Sequence, residues 1–164
     1  MAKPETFPID AKLNRVMGIV RFLHRSSKKL SIAELTELSG QNVDTLLPQV
    51  SAASMLGLIS IKAGEVMLTA TGEGFFKNDE KAMASIRKRL AALEPFKTAL
   101  AMSMRVDAFT THELAEELRE KGVSWHTEKH VNLEILNTLL IQWAIFFGII
   151  DYDGKSRVWL KEAA

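Results

Sequence analysis

Gly57-Leu58-Ile59-Ser60-Ile61-Lys62-Ala63-Gly64-Glu65-Val66-Met67-Leu68 is the stretch that decides the fold. Upstream of Gly57 the apolar residues recur every three or four positions. Downstream they alternate, so the chain passes there from helix to strand. Leu58 to Ile61, a turn at Lys62-Ala63-Gly64-Glu65 and Val66 to Leu68 read as a β-hairpin.

Three helices are expected ahead of it. Leu13, Val16, Met17, Val20 and Leu23 place an amphipathic helix over about Ala11 to His24, ended by Ser26-Ser27-Lys28-Lys29. Ser31 stands three residues before Glu34, a capping-box spacing that opens a short helix through Ile32, Leu35 and Leu38, stopped by Gly40. A third helix starts near Val43, carries Leu46, Leu47, Val50, Ala53 and Leu56, and meets Gly57 at its C-cap. Pro48 is compatible with that helix only near its first turn. Helix, short helix, helix and hairpin is the winged-helix order, with the hairpin as wing. Thr69 to Phe76 then reads as a capped turn leading into a long charged helix from Asp79 to Leu93.

The second half follows the same plan. A helix over Glu94 to Met104 precedes a second capping box, Thr110 with Glu113, ahead of Leu114 and Leu118 and the terminator Gly122. From about Thr127 a helix bears Val131, Leu133, Ile135, Leu136, Leu139, Leu140 and Trp143; apolar on most faces, it is expected to be buried. Ile149 to Tyr152, a turn at Asp153-Gly154-Lys155-Ser156, and Arg157 to Leu160 form a second hairpin. The two hairpins overlay without a gap: Ile61 and Leu68 stand four and eleven residues after Gly57, Tyr152 and Trp159 four and eleven after Gly148. The expected fold is therefore mainly α with small β-hairpins: tandem winged-helix units packed together, 1–93 with a linking helix and 94–164.

Composition narrows the chemistry. The 164 residues include 21 Lys+Arg against 20 Asp+Glu, 47% hydrophobic residues and no Cys. Disorder, a disulfide scaffold, thiolate nucleophiles and Cys-ligated metals are excluded. Residues 1–93 hold 13 basic against 9 acidic side chains and 94–164 hold 8 against 11, so the near-neutral total hides halves of +4 and −3. The longest late apolar run, Ile145 to Ile150, is far short of the ~20 residues that span a bilayer. The polar start Met1 to Glu5 has no signal-peptide core. A cytoplasmic protein is expected, held at the inner membrane only through a partner, with no direct membrane insertion.

The candidate catalytic motifs are poor. Gly154-Lys155-Ser156 lacks the earlier Gly of a phosphate loop and falls in a hairpin turn. His126 and His130 share a helix face, but two ligands do not make a zinc site. Glu113, Glu116, Glu117 and Glu120 read as a solvated face. Neither an enzyme nor a cofactor is expected. For nucleic acid, the third helix from Gln41 to Leu56 holds no Lys or Arg; Gln41, Asn42 and Gln49 could meet bases, but no nearby cation would hold phosphates. The basic residues cluster elsewhere: Arg21, Arg25, Lys28 and Lys29 late in the first helix, and Arg87, Lys88 and Arg89 on the linking helix.

Met17-Gly18-Ile19-Val20, Leu46-Leu47-Pro48, Ala52-Ala53, Leu56-Gly57-Leu58, Leu68-Thr69-x-x-Gly72 with Phe76, Lys88 to Leu90, Trp143-Ala144 and Asp151-Tyr152-Asp153 together resemble a known family. It is the C-terminal AAA-associated domain found behind the ATPase domain in ATP-binding subunits of nitrate/sulfonate/bicarbonate-class ABC transporters. The resemblance runs from about Leu13 to Asp153. The chain departs from it after Trp143, with Ile145-Phe146 and Gly148 where the family has an Arg-Tyr pair and a Glu, so an apolar contact replaces a polar one. The ATPase portion has no counterpart here, so ATP hydrolysis is not carried over. The resemblance implies a non-catalytic regulatory or accessory domain that docks on a protein partner, an ABC-type ATPase or an identical subunit as in a homodimer. Trp143, Phe146, Phe147, Tyr152 and Trp159 are the candidate contact residues, unless all prove buried. The alternative is a winged-helix DNA-binding transcriptional regulator.

Overall fold

The computed structural model describes residues 4–26 and 29–163. Helices dominate, accompanied by two small antiparallel sheets. Internal packing divides the chain into two compact units: Asp10–Arg89, and Leu90–Ala164 together with the segment through Ile9.

The N-terminal unit runs α1 (Leu13–Arg25), β1 (Lys29–Ser31), α2 (Ile32–Ser39), α3 (Val43–Met55), β2 (Ile59–Lys62), β3 (Glu65–Leu68), α4 (Ala70–Phe76) and α5 (Glu80–Leu90). Val16, Ile19, Val20 and Leu23 form the buried stripe of α1, which packs on α2, α3 and α4. The Ser31–Glu34 capping box is present in full. Asn42 Oδ1 caps α3 by accepting from Thr45 N. Pro48 lies inside α3, beyond the first turn to which the sequence confined it. At the end of α3, Gly57 takes φ 75°, its N–H reaching Ser54 O while Leu58 N–H reaches Ala53 O. These are the paired bonds of a Schellman motif, and they turn the chain into the hairpin. Ala63 and Gly64 both have positive φ, which makes the turn a tight two-residue one.

Two elements of this unit differ from expectation. Lys29–Ser31 is a strand rather than part of a helix terminator; it pairs with β3 and gives the sheet order β1-β3-β2. Thr69 to Phe76, expected as a capped turn, holds the helix α4, for which Thr69 is the N-cap.

The C-terminal unit runs α6 (Phe96–Arg105), α7 (Thr111–Glu120), α8 (Lys129–Leu139), a π-helical turn over Leu140–Ala144, β4 (Ile150–Asp153) and β5 (Val158–Lys161). Phe7 packs edge-on against Phe96 and Trp143, its ring centroid 5.5 and 4.8 Å away. The element order repeats that of the other unit. Phe109 exchanges both backbone hydrogen bonds with Trp159 on β5, in the place where β1 pairs with β3. Thr110 then caps α7 with Glu113, as Ser31 caps α2 with Glu34. Gly148 repeats Gly57, with φ 67° and the same pair of bonds, Gly148 N–H to Ile145 O and Ile149 N–H to Ala144 O.

The gapless overlay of the hairpins fails beyond the first strand. Tyr152 pairs with Trp159, but Ile61 pairs with Val66 and Leu68 with Ile59. The physical reason is the turn: two residues join β2 to β3, whereas Gly154 to Arg157 join β4 to β5, so the second strand starts two residues later. The expected burial of the long helix fails on one side. Leu136, Leu139, Leu140 and Trp143 are buried, whereas Ile141, Ile145 and Phe146 are exposed. In the π-turn, Ile145 N–H bonds Leu140 O, five residues back, which widens the helix where this stripe emerges.

Candidate functional site

Two of the three polar residues that could have read bases from α3, Gln49 and Asn42, are engaged in the fold. Gln49 is fully buried: its Oε1 accepts from Lys12 N at 2.8 Å and its Nε2 donates to Asp10 O at 2.8 Å. Asn42 is the cap of α3, and Gln41 is half-buried beside it. The apolar side chains that α3 exposes are Val43 (48% exposed) and Leu47 (47%), one turn apart, beside the exposed Asp44, Ser51 and Ser54, with the exposed Leu38 on the preceding helix. Sequence reasoning counted Leu47 with Leu46 among the apolar residues of the helix without separating the inward from the outward one. The signal that separates them was the pair Leu46-Leu47 itself, since adjacent positions lie about 100° apart on a helix and cannot both face inward on a narrow stripe.

The five candidate aromatics separate. Trp143, Phe147 and Trp159 are buried and serve the core of the C-terminal unit. Trp159 Nε1 donates to Thr111 Oγ1 at 3.0 Å, and that hydroxyl donates to Asn137 Oδ1 at 2.7 Å, which ties β5 to α7 and α8. Tyr152 is half-buried against Trp159 at a centroid distance of 4.5 Å. Phe146 is 47% exposed and packs edge-on to Phe147, forming a second apolar patch with Ile141 and Ile145.

The basic candidates are similarly divided. Lys29 Nζ meets Glu65 Oε2 at 2.8 Å, and the bond raises the lysine's pKa. The side chain of Arg89 lies against Gly57, so close that a Cβ there would overlap its Nε. Arg21 and Arg25 stand one turn apart on α1, and Arg87 and Lys88 end α5, all exposed. Lys28 lies outside the described residues. His24, also on α1, has its Nδ1 2.9 Å from Glu73 Oε1 and its ring stacked on Phe76.

The remaining motifs have structural roles. In the Gly154-Lys155-Ser156 turn, the donors go to Asp153, whose carboxyl accepts from Ser156 Oγ at 2.6 Å and Lys155 N at 3.0 Å and is held below its ordinary range by both. His126 Nδ1 accepts from Glu128 N, and His130 Nε2 sits 3.1 Å from Glu134. No group of three metal-ligating side chains occurs among the described residues. Of the α7 carboxylates, Glu113 serves the cap, Glu117 takes both bonds from Arg105 Nη2, and Glu116 accepts from Arg119.

Thr69 organises the hairpin base. Its Oγ1 lies 2.6 Å from Gly57 O and 2.9 Å from Leu58 O, and accepts from Gly72 N at 3.0 Å. A Cβ at Gly72 would overlap Leu58 O and Leu68 Cδ1. The Leu-Thr-x-x-Gly element thus closes α4 onto the start of β2.

These features define a helical domain that uses one helix, helix and hairpin plan twice and presents apolar side chains on α3 and on the π-turn. The family model described as the C-terminal AAA-associated domain matches residues 33–153, and the chain belongs to that family. The match begins in α2 and ends on the last residue of β4, so Met17 to Val20 lie outside it. Comparison with curated proteins and with solved structures gives no significant match. No helix among the described residues is long and apolar enough to cross a membrane.

Proposed function

We propose that both units are winged helices and that the protein is a non-catalytic accessory domain acting through protein contacts on an ABC-type ATPase. The resemblance drawn from its motifs supports an ATPase of the nitrate, sulfonate or bicarbonate transport class as the partner, with the protein working in the cytoplasm beside a membrane-held transporter. Membership of the AAA-associated family supports the ATPase as partner. The observation that carries the reading is the character of α3. In a DNA-reading winged helix this element presents Arg, Lys, Asn or Gln to the major groove. Here Gln49 is used internally, Asn42 is a cap, and the exposed side chains are Val43 and Leu47 with Asp44, Ser51 and Ser54, none of them a cation or an amide. Apolar side chains at one-turn spacing suit a groove on another protein.

The test is reconstitution with an ABC-type ATP-binding subunit of that transport class. The reading expects a direct complex and a changed rate of ATP hydrolysis, both lost in Leu47→Asp. Absence of a complex, together with salt-sensitive binding to duplex DNA by the same preparation, would replace it with the regulator reading.

A further inference from the structure

A depression of about 570 Å³ in the C-terminal unit lies between α7 and the start of α8. One wall is a single face of α7: His112, Ala115, Glu116 and Arg119, at helical spacing. The other is Ser124, His126 and Thr127 from the connecting loop, with Lys129 and Asn132 from the first turn of α8. The lining is rich in donors and holds one carboxylate, that of Glu116. Arg119 Nη2 donates to it at 2.7 Å and Lys129 Nζ stands 3.8 Å away. The bond from Arg119, with the charges of Arg119, Lys129 and His112, holds the Glu116 carboxyl below its ordinary range.

Three further features give the depression anion character. His126 Nδ1 accepts the N–H of Glu128, so in the neutral ring the proton sits on Nε2 and that nitrogen is a donor. Glu128 is the N-cap of α8 but makes no side-chain cap bond, so its carboxylate does not take up the N–H groups at the start of that helix, where Lys129 and Asn132, the latter accepting from Trp125 N through Oδ1, supply the wall. The other carboxylates of α7 are largely drawn elsewhere: Glu117 to Arg105 and Glu113 to Thr110, with Glu120 left beside Arg119.

We propose that this depression is a binding site for a soluble phosphate-class ligand, and that Glu116 is the internal carboxylate which such a ligand displaces from Arg119 and Lys129. Two cations with one carboxylate between them carry a net +1; with Glu116 swung aside they match a dianion. A phosphate monoester supplies that charge and enough acceptors for Arg119, Lys129, His126 and the first N–H groups of α8 together. The volume exceeds that of a bare oxyanion, which leaves room for the group the phosphate is attached to. The site lies wholly within one unit and does not depend on the ATPase reading.

The experiment is an amide NMR titration of the full chain with inorganic phosphate and with glycerol phosphate, against sodium chloride at matched ionic strength. Shift changes are expected to concentrate at residues 112–119 and 124–132. Arg119→Ala and Lys129→Ala are each expected to weaken binding by about tenfold or more, and Glu116→Gln to tighten it by about tenfold, the worth of one charge-assisted hydrogen bond. The opposite signs separate a ligand site from a surface ion pair, and the spectra report directly whether each variant is folded. Shifts that chloride reproduces, affinity unmoved by all three substitutions, or binding to phosphatidylglycerol vesicles without binding to either soluble phosphate would each overturn the proposal.

Discussion

Gln49 Oε1 accepts the backbone N–H of Lys12 at 2.8 Å, so α3 is tied by a buried amide to the residue that caps α1. The same side chain donates to Asp10 O, which fixes the approach to α1 from both sides of one amide group. An apolar residue of similar size leaves the Lys12 N–H and the Asp10 carbonyl without that partner. Gln49→Leu is expected to lower stability by about 1–3 kcal/mol, the usual cost of an unsatisfied buried group. Urea unfolding followed by circular dichroism measures it. A loss of DNA affinity with unchanged stability would instead place Gln49 in a readout role.

Gly72 is required for lack of space rather than for backbone freedom. Its missing side chain leaves room for the Leu58 carbonyl, which also takes the Thr69 N–H at 3.1 Å. The obstructing atom belongs to the backbone at the start of the hairpin and cannot rotate away. Gly72→Ala is expected to cost about 3 kcal/mol, the upper range for an overpacked site. Gly64→Ala, where a Cβ meets nothing within 4 Å, tests φ strain alone, since its φ is 77°. A smaller thermal shift for Gly72→Ala than for Gly64→Ala would contradict the steric account.

The capping box on α2 gives a pH signature. The Glu34 carboxyl is held below its ordinary range by the Ser31 N–H, and further by the Ser31 hydroxyl. As pH falls, the unfolded chain takes up its proton first. The contribution is therefore complete above the ordinary carboxylate range and is lost as pH falls through the lower native value. Ser31→Ala removes the hydroxyl, which caps the helix at Glu34 N, and is expected to cost about 1 kcal/mol at neutral pH. Carboxyl-detected NMR should show Glu34 titrating higher in that variant. An unchanged Glu34 midpoint would show that the backbone bond alone sets it.

Local grammar was legible in the sequence, and long-range partnership was not. Ser31 with Glu34, Thr110 with Glu113, and the helix-ending glycines Gly40, Gly57 and Gly122 are signals contained within a few residues, and each stands where it was read. Lys29 to Ser31 forms a strand only because β3 lies beside it, and three residues carry no period of their own. The hairpin overlay failed because turn length was not counted separately from strand length. The outward side chains were hidden by excess: the segment from Val131 to Phe147 is so apolar that period could not tell the buried Trp143 from the exposed Ile141. The donors around Glu116 come from two stretches of chain, 112–119 and 124–132, and only folding brings them to one depression.

The contact surface and the core make opposite demands on apolar residues, which allows the proposed role to be tested by pairs of variants. Trp143 is fully buried against Phe7 and Phe147, so Trp143→Ala is expected to cost about 3–5 kcal/mol and to weaken any activity only by unfolding the unit. Val43 and Leu47 are exposed on α3, where a charge meets water; Val43→Asp and Leu47→Asp should leave stability within about 0.5 kcal/mol. If that face docks on an ATPase, each should weaken the complex by about tenfold or more, since a charge must then be buried without a partner. Phe146→Asp, at the other exposed patch, identifies which of the two apolar surfaces is used. Calorimetric titration against the ATP-binding subunit, with thermal unfolding of each variant alongside, separates the cases. Complexes unaffected by all three surface substitutions would remove both patches from the interface.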